Sequence, residues 1–372
     1  MAKRRLRVLL LFGGRSAEHD VSCVTAVAVA RALDPERYEV VPIAITTDGQ
    51  WLLAGEARAA LEKGMSALPA AFAVEGEPVR PPSGPADQAI VPRSGPSEMA
   101  GLAPDVVLPL LHGPYGEDGT VQGLLELADL PYVGSGVLGS AVAMDKIMMK
   151  RAFTAAGLPQ ARSVDLRDGA DRDEFATRVV AELGLPVFVK PANMGSSVGV
   201  TKAHDRVELD AAVALALDFD EWCIAEEAIV GREIEVAVLG DDPPQASVPG
   251  EIVPGAEFYS YADKYETGAA QLLVPAPLSE ARVTEVRDLA IRAFEACRCE
   301  AMARVDFFFD DSSGGRGFVV NELNTIPGFT PISMYPMLWE ASGVPYSALL
   351  DRLVDLALAR HARRTRRAGR QR

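Results

Sequence analysis

Polar side chains interrupt two strongly apolar segments late in the chain, and this pattern constrains the fold more than any other. Asp306 lies among apolar residues 305–309, while Glu322 and Asn324 follow apolar residues 318–320. On extended chain Glu322 and Asn324 point to the same face, because successive side chains alternate. Buried charges are costly unless they are paired or coordinate a metal. The pattern predicts two strands joined by a turn, with oxygen ligands suited to Mg²⁺. Solvent-facing polar strand edges are the alternative.

The composition is that of an acidic protein large enough for two or three domains, with a net charge of -15 over 372 residues. Such acidity argues against a nucleic-acid partner, whose binding depends on phosphate neutralisation. Residues 360–372 carry seven arginines and no acid, and they predict a solvated, disordered tail. Four cysteines without metal or disulfide spacing indicate reduced thiols. No apolar run reaches the length of a membrane helix. We expect a cytoplasmic protein without membrane insertion.

Strands and helices alternate along the chain, which is typical of an α/β fold with a parallel sheet. Residues 255–270 follow neither hydrophobic period and predict a long loop, a class that often serves as a functional lid. Residues 64–101 are rich in Pro, Gly and Ser and predict a surface excursion. The predicted strands are residues 6–12, 40–45, 105–111, 186–190 and 199–202, and the predicted helices are residues 20–33, 141–156, 207–217, 280–298 and 346–360.

Two lysines are candidate phosphate ligands. Lys190 ends a predicted strand and precedes a loop of small residues that includes Ser196 and Ser197. Small residues let backbone N–H groups approach phosphate oxygens, and the lysine adds a compact cation. The chain has no GxxxxGK[ST] motif, so an ordinary β-hairpin turn remains an equal alternative. Lys146 lies on the predicted helix 141–156, where an exposed lysine is the alternative.

Acidic side chains stand at several predicted strand ends. Glu226, Glu227 and Glu233 flank a glycine between consecutive strands, where a carboxylate can hold ribose hydroxyls or an adenine amino group. Each of them can equally be a solvated surface acid. Glu18 follows the first strand, at the edge where open α/β sheets bind ligands, and can hold a substrate ammonium. A tight turn between strand and helix is the alternative there.

Three further residues are candidates for binding a second substrate group. His112 ends strand 105–111 beside a glycine, and a simple turn residue is the alternative. Arg304 shares a strand face with Asp306, and its guanidinium suits a carboxylate, unless the two form a structural pair. Ser333 opens a helix after a glycine turn, where it can help bind the same carboxylate or act only as an N-cap.

Taken in order, these segments resemble the D-alanine–D-alanine ligases of the ATP-grasp superfamily. The resemblance covers residues 13–343 and implies an α/β ATP-grasp fold of three α/β domains, with ATP held between the central and C-terminal domains. The implied domains are residues 1–140, 141–225 and 226–360, followed by a basic tail at 361–372. The motifs that carry the resemblance are GGRSAEHDVS, LHGPYGEDG, MDK, VKPANMGSSVGV, FYSYADKY, ARVDFFF and NELNTIPGFTPISMYP.

The activity implied by the resemblance is ATP-dependent ligation of two D-alanines through a D-alanyl phosphate. ADP and phosphate are the other products, and the dipeptide serves peptidoglycan precursor synthesis. The resemblance also implies two Mg²⁺ or Mn²⁺ ions and a homodimer. A D-serine or D-lactate acceptor, or another ATP-grasp carboxylate–amine ligase, is an alternative. A nucleotide-binding module without catalysis and a scaffolding protein are rivals from other classes.

The resemblance also implies a role for each candidate residue. ATP is bound by Lys146, Lys190, Ser197, Glu226, Glu227, Ile229, Glu233 and Lys264. The metal ions are bound by Asp306, Glu322 and Asn324. The D-alanines are bound by Glu18, His112, Arg304, Ser333 and Met334. The catalytic residues are Glu18, Ser196, Tyr265, Arg304 and Gly328. Ala228 departs from the large aromatic residue that the family often places beside adenine, which implies weaker stacking on the base.

Overall fold

Three β-sheets covered by helices make up the part of the chain described by the computed structural model, namely residues 4–63, 68–92, 103–254 and 270–368. The strands are β1 (Leu6–Gly13), β2 (Tyr38–Ile45), β3 (Trp51–Leu53), β4 (Glu77–Arg80), β5 (Val91–Pro92), β6 (Val106–Pro109), β7 (Ser163–Arg167), β8 (Val187–Pro191), β9 (Thr201–Ala203), β10 (Trp222–Glu227), β11 (Arg232–Leu239), β12 (Gln245–Ala246), β13 (Gly250–Val253), β14 (Gln271–Leu273), β15 (Met302–Asp310) and β16 (Gly317–Asn324). The helices are α1 (His19–Ala32), α2 (Gly55–Glu62), α3 (Thr120–Leu127), α4 (Val137–Met144), α5 (Lys146–Ala155), α6 (Arg172–Glu182), α7 (Arg206–Phe219), α8 (Glu280–Ala296), α9 (Met334–Ala341) and α10 (Tyr346–Ala368). Within these residues no helix is both long and apolar enough to cross a bilayer.

The first sheet has the order β5-β4-β3-β2-β1-β6, and β1 lies between two parallel neighbours, β2 and β6. The loops that follow β1 and β6 therefore leave the same edge of the sheet, where open α/β sheets bind ligands. Gly13 makes the first loop possible, because its φ is 84° and an added Cβ would lie 2.3 Å from the carbonyl oxygen of Ile45. The predicted strands 6–12 and 40–45 and the helix 20–33 are confirmed within two residues.

The second sheet is antiparallel, with the order β7-β10-β8-β9. Helices α6 and α7 cover it, and their apolar side chains form a core with those of the strands, including Phe175, Val187 and Leu209. Strands β8 and β9 form a hairpin in which Val187 pairs with Ala203. The strands predicted at 186–190 and 199–202 are confirmed with shifts of one or two residues.

The third sheet, with the order β14-β13-β11-β15-β16, carries the polar pattern that opened the sequence analysis. Strands β15 and β16 are antiparallel, and they place Asp306 opposite Glu322 and Arg304 opposite Asn324. A β-bulge follows Asp306 and re-aims the side chains beyond it. The predicted strand, turn and strand are therefore confirmed, and α8 buries the apolar face beneath them.

The first and third sheets share one hydrophobic core. Leu10 of β1, Ala237 of β11, Tyr335 of α9 and Leu353 of α10 belong to the same buried cluster. The second sheet has its own cluster, whose members all lie between residues 164 and 225. The described chain is thus divided unequally by its packing, with the second sheet as the smaller unit.

The predicted helix 141–156 is two helices, α4 and α5, and that prediction was wrong at Asp145. The backbone of Asp145 is extended, with ψ at 105°, and its carboxylate accepts hydrogen bonds from the N–H groups of Ile147 and Met148 at 2.9 Å each. An aspartate in this geometry is an N-cap, which starts a new helix. Lys146 therefore occupies the first turn of α5.

The basic end of the chain is helical where the sequence predicts disorder. Helix α10 continues to Ala368, so the prediction for 361–372 was wrong over most of that range. Arg360 explains the difference. Its side chain is only 4% exposed, its guanidinium donates to the carbonyl oxygen of Tyr132 at 2.6 Å, and it stacks 4.4 Å from the centre of that ring.

The three predicted domain boundaries fall inside continuous elements. The division after residue 140 lies within α4, the one after 225 within β10, and the one after 360 within α10. Hydrogen bonds run without interruption through each of these elements, so a boundary there would cut a folded unit. We propose divisions at Asp145 and after Glu227 instead, and the three-domain organisation itself stays a prediction.

Candidate active site

One cavity of about 1230 Å³ lies between the second and third sheets and the loops that follow β1 and β6. Every predicted site residue in the described part of the chain lines it, although these residues come from positions 18 to 334. The cavity-lining members are Glu18, His112, Lys146, Lys190, Ser196, Ser197, Glu226, Glu227, Ile229, Glu233, Arg304, Asp306, Glu322, Asn324, Gly328, Ser333 and Met334. Lys264 and Tyr265 lie outside the described residues.

Lys146 and Lys190 form a cationic end of this cavity. The ammonium of Lys146 donates to the carbonyl oxygen of Met194 at 2.5 Å, and burial lowers the pKa of Lys146. Lys190 lies 2.7 Å from the carboxylate of Glu226. Burial alone would lower the pKa of Lys190, but the charge of Glu226, its hydrogen bond to Lys190 and the charges of Glu322 and Glu233 together raise it. Lys146 lines the cavity and is therefore not the exposed surface lysine of the alternative.

The small-residue loop between β8 and β9 is both a hairpin connection and a wall of the cavity. Ser196 and Ser197 both have positive φ, 49° and 60°, in a region that non-glycine residues rarely adopt. Such strain persists where the surrounding contacts fix it, commonly at binding sites. Ser196 reaches across the cavity and donates its hydroxyl proton to Glu18. This hydrogen bond joins two of the residues that the resemblance implies are catalytic.

The two consecutive acids at the end of β10 are paired with cations of the chain itself. Glu226 is 4% exposed and is held by two lysines, so its carboxylate is already neutralised. Glu227 accepts hydrogen bonds from Arg162 and Arg316, which help to lower its pKa against the opposing effect of burial. These pairings overturn the alternative that both are solvated surface acids. Ala228, Ile229 and Val230, which follow these acids, also line the cavity.

Asp306, Glu322 and Asn324 meet at one point of the third sheet. Asp306 and Glu322 are opposite in register, and the side-chain amide of Asn324 donates to Asp306 at 3.0 Å. Two carboxylates and an amide oxygen fit Mg²⁺. Among the described residues no group of three His, Cys, Asp or Glu side chains is arranged to hold a metal.

Arg304 forms the Asp–Arg pair that was the alternative to substrate binding. Its Nε and Nη2 donate to the two carboxylate oxygens of Asp306 at 2.7 Å each, and its Nε lies 3.0 Å from Glu235. Burial alone would lower the pKa of Arg304, but these acids raise it well above its usual range. The guanidinium still borders the cavity, so the structural pair and a substrate contact are compatible.

His112 is buried at the loop that follows β6. Its Nδ1 lies 2.9 Å from the carbonyl oxygen of Ile326, and because a carbonyl only accepts, Nδ1 carries the proton. Its Nε2 is buried without a hydrogen-bond partner. A buried ring atom with no partner needs an explanation, and a substrate group in the cavity would supply one. The alternative of a simple turn residue does not explain it.

Ser333 stands at the N-cap position of α9, but its hydroxyl does not cap the helix. Its Oγ instead accepts from the backbone N–H of Thr330 at 3.1 Å. A Cβ added to Gly328 would come within 3.0 Å of that Oγ, so the turn requires a glycine or a shift of Ser333. Ser333 thus occupies the N-cap position that the alternative gave it, but its side chain does not make the hydrogen bond of an N-cap.

Comparison with known proteins assigns the family. The models for the D-ala D-ala ligase N-terminus and C-terminus match residues 7–135 and 152–355. The D-alanine--D-alanine ligase of Geobacillus thermodenitrificans is 48% identical over 363 residues, with 96% of each chain covered. The chain belongs to the D-alanine–D-alanine ligase family.

Solved structures agree with this assignment to the D-alanine–D-alanine ligases. The D-alanine-D-alanine ligase from Coxiella burnetii has a TM-score of 0.83 at 34% identity, with 99% of this chain and 98% of that chain covered. The VanG D-Ala:D-Ser ligase from Enterococcus faecalis has a TM-score of 0.82 at 32% identity, with 95% of this chain and 100% of that chain covered. The predicted α/β ATP-grasp fold is therefore confirmed.

The sequence reasoning missed two residues of this D-alanine–D-alanine ligase family member, the partly exposed Glu117 and the buried Lys150. Glu117, in the loop after β6, accepts from the N–H of Gly113 at 2.9 Å and from the N–H of Ile326 at 2.8 Å. Burial, and secondly the charge of Glu18, raises the pKa of Glu117 to about 8. Lys150 lies 3.1 Å from Glu226. Its position one helical turn after Lys146 was the only available signal.

Proposed function

We propose that this chain joins two D-alanine molecules into D-alanyl-D-alanine, with ATP converted to ADP and phosphate. The convergence of the predicted residues from three sheets into one cavity is the observation that carries the proposal. The cavity joins a cationic end, a paired-carboxylate site and a polar end around Glu18 and His112. These suit a polyphosphate, a divalent cation and a zwitterionic amino acid in that order.

The first D-alanine binds beside Glu18, whose carboxylate attracts the substrate ammonium. The hydroxyl of Ser196 holds Glu18 in place, and His112 offers its Nε2 to the same substrate. A carboxylate oxygen of this D-alanine attacks the γ-phosphorus of ATP, the bond to the β-phosphate oxygen breaks, and ADP leaves. Phosphoryl transfer is mainly positioning and neutralisation of charge, which Lys146 and Lys190 supply at the phosphates.

Asp306, Glu322 and Asn324 would hold two Mg²⁺ or Mn²⁺ ions. When bound, these ions neutralise phosphate charge and align the transferred group. The guanidinium of Arg304 donates hydrogen bonds to both carboxylate oxygens of Asp306 and so holds that ligand in place. The fit of the ligand set to a hard cation supports this proposal.

The second D-alanine binds with its carboxylate near Arg304 and Ser333. Its amine attacks the acyl carbon of D-alanyl phosphate, phosphate leaves, and the amine loses a proton. The N–H of Gly328 and the guanidinium of Arg304 stabilise the oxyanion that forms at the acyl oxygen. Lys264 and Tyr265 are proposed to complete the site at the γ-phosphate and beside Ser196, so that water is kept from the acyl phosphate.

The test is phosphate release from ATP and Mg²⁺ in the presence of D-alanine alone. We expect ADP and the dipeptide, no release with L-alanine, and no stimulation by D-lactate or D-serine. Release that requires D-serine or D-lactate would change the acceptor assignment. ATP binding without any release would refute the proposed reaction.

A homodimer in a reducing cytoplasm completes the proposal. The family resemblance supports the dimer, and four buried, unpaired cysteines support the compartment. Light scattering of the full chain at micromolar concentration should give twice the mass of 39.7 kDa, and a mass of one chain would exclude the dimer.

A further inference from the structure

Lys150 is a buried cation behind the wall of the cavity. It lies on α5, its side chain is 6% exposed, and its ammonium donates to the carbonyl oxygen of Ala161 at 3.2 Å. It does not line the cavity itself, unlike Lys146 one turn earlier on the same helix. A lysine at such a depth is rare unless it is paired, so its partner explains its presence.

The partner is Glu226, which bridges two lysines. Its Oε1 lies 3.1 Å from the ammonium of Lys150, and its Oε2 lies 2.7 Å from that of Lys190. Although burial alone raises the pKa of a carboxyl group, the two lysines lower the pKa of Glu226 to about 2. The carboxylate is therefore charged, and the three groups together carry one net positive charge.

We infer that Lys150 is a positioning residue for ATP: by neutralising Glu226, it leaves the charge of Lys190 available to the polyphosphate. The inference rests on the proposed function, since it takes the phosphates to lie at Lys190. Without Lys150, Glu226 and Lys190 form a neutral pair, and Lys146 is left as the cation that an approaching phosphate meets at this end of the cavity. Lys150 thus acts on the nucleotide through Glu226, without touching it.

The expected size of the effect follows from Coulomb's law. A unit charge removed from a point ~8 Å from the phosphates, at an effective dielectric constant of about 20, weakens ATP binding by about thirtyfold. Adenosine carries no phosphate, so its affinity should be unchanged. The ratio of the dissociation constants of adenosine and ATP therefore isolates the phosphate end of the site.

The experiment is calorimetric titration of the full chain with ATP and with adenosine, in Mg²⁺ and without D-alanine. Lys150→Met should lower the affinity ratio by about thirtyfold. Arg151→Met is the matched control, since the Arg151 side chain is 60% exposed and pairs with Asp165 on the surface. It should keep the wild-type ratio. Combining Lys150→Met with Glu226→Gln restores one net positive charge and should recover most of the ratio.

Three results would overturn the inference while leaving the proposed function intact. In the first, Lys150→Met would bind ATP with the affinity of the wild type. In the second, its affinities for ATP and adenosine would fall by the same factor, as expected of a purely structural residue. In the third, the affinity ratio of the double variant would be lower than that of Lys150→Met. If Lys150→Met does not fold, Lys150→Gln, which keeps a donor to Glu226, takes its place with the same expected loss. Failure of the wild type to bind ATP would refute the proposed function itself.

Discussion

Replacement of Glu117 by glutamine should remove a specific pH dependence of stability. In the folded chain both carboxyl oxygens of Glu117 accept backbone N–H groups, and its pKa is raised to about 8 by burial and by Glu18. The unfolded chain releases this proton near its ordinary value of 4.5. Between these two pH values the folded state binds one proton more, so a rise in pH favours unfolding.

The magnitude follows from the linkage relation. Each pH unit between 4.5 and 8 lowers the free energy of unfolding by about 1.4 kcal/mol through this one group. From pH 5.5 to pH 7.5 the wild type should therefore lose about 3 kcal/mol relative to Glu117→Gln, which cannot ionise. The variant also loses one acceptor oxygen, which lowers its stability by about 1–3 kcal/mol at every pH. This second effect shifts the curve without changing its slope.

Urea denaturation at several pH values measures both effects. The unfolding free energy of the wild type minus that of Glu117→Gln is plotted against pH, so that titrating groups that do not interact with Glu117 cancel. The control is Glu36→Gln, which removes an exposed carboxyl group from the loop between α1 and β2. It should show the same dependence of stability on pH as the wild type. The unfolding free energy of the wild type minus that of the variant should fall as the pH rises from 5.5 to 7.5. If this difference stays constant or rises over that range, the reasoning is refuted.

Three other substitutions test the site and the fold. Asp306→Asn should lower turnover more than about a hundredfold with an unchanged circular dichroism spectrum, and full activity would contradict the metal assignment. Ser196→Ala removes the hydrogen bond to Glu18 and should raise the KM for D-alanine about tenfold, measured by initial rates. Arg360→Met leaves two buried carbonyl oxygens without a donor and should lower the unfolding free energy by about 3 kcal/mol. Arg366→Met, on the exposed face of the same helix, is its control and should change little.

Strands β1 and β16 were predictable because each has a long apolar run with a glycine at one end. The metal set was predictable as well, since Glu322 and Asn324 alternate on one strand and Asp306 lies on its neighbour. The break at Asp145 was missed although an aspartate before an apolar run is an N-cap signal. The apolar pattern continues across Asp145, so local hydrophobicity favoured one helix and the cap favoured two.

Contacts between distant segments were not predictable. The pairing of Lys150 with Glu226 joins a helix to a strand 76 positions later, and nothing local distinguishes it from a solvated lysine and a solvated acid. The helical end of the chain has the same origin. Arg360 donates to the carbonyl oxygens of residues 132 and 134. The local sequence around Arg360 does not reveal acceptors that come from a segment so distant in the chain.

The unequal division of the hydrophobic core bears on how nucleotide enters. The first and third sheets are joined by one continuous cluster, whereas the second sheet and its helices form a cluster of their own and meet α5 at Ile147, which packs against Ala192 and Ile224. Lys190 and the small-residue loop belong to that second unit, while Asp306 and Glu322 belong to the larger one. Helix α5 links the two units through buried side chains, since its Met149 and Phe153 belong to the core of the third sheet while its Ile147 packs against the second. A tilt of the smaller unit would therefore turn at α5 and would break polar contacts across the cleft, such as the one between Ser196 and Glu18, which a bound substrate would replace.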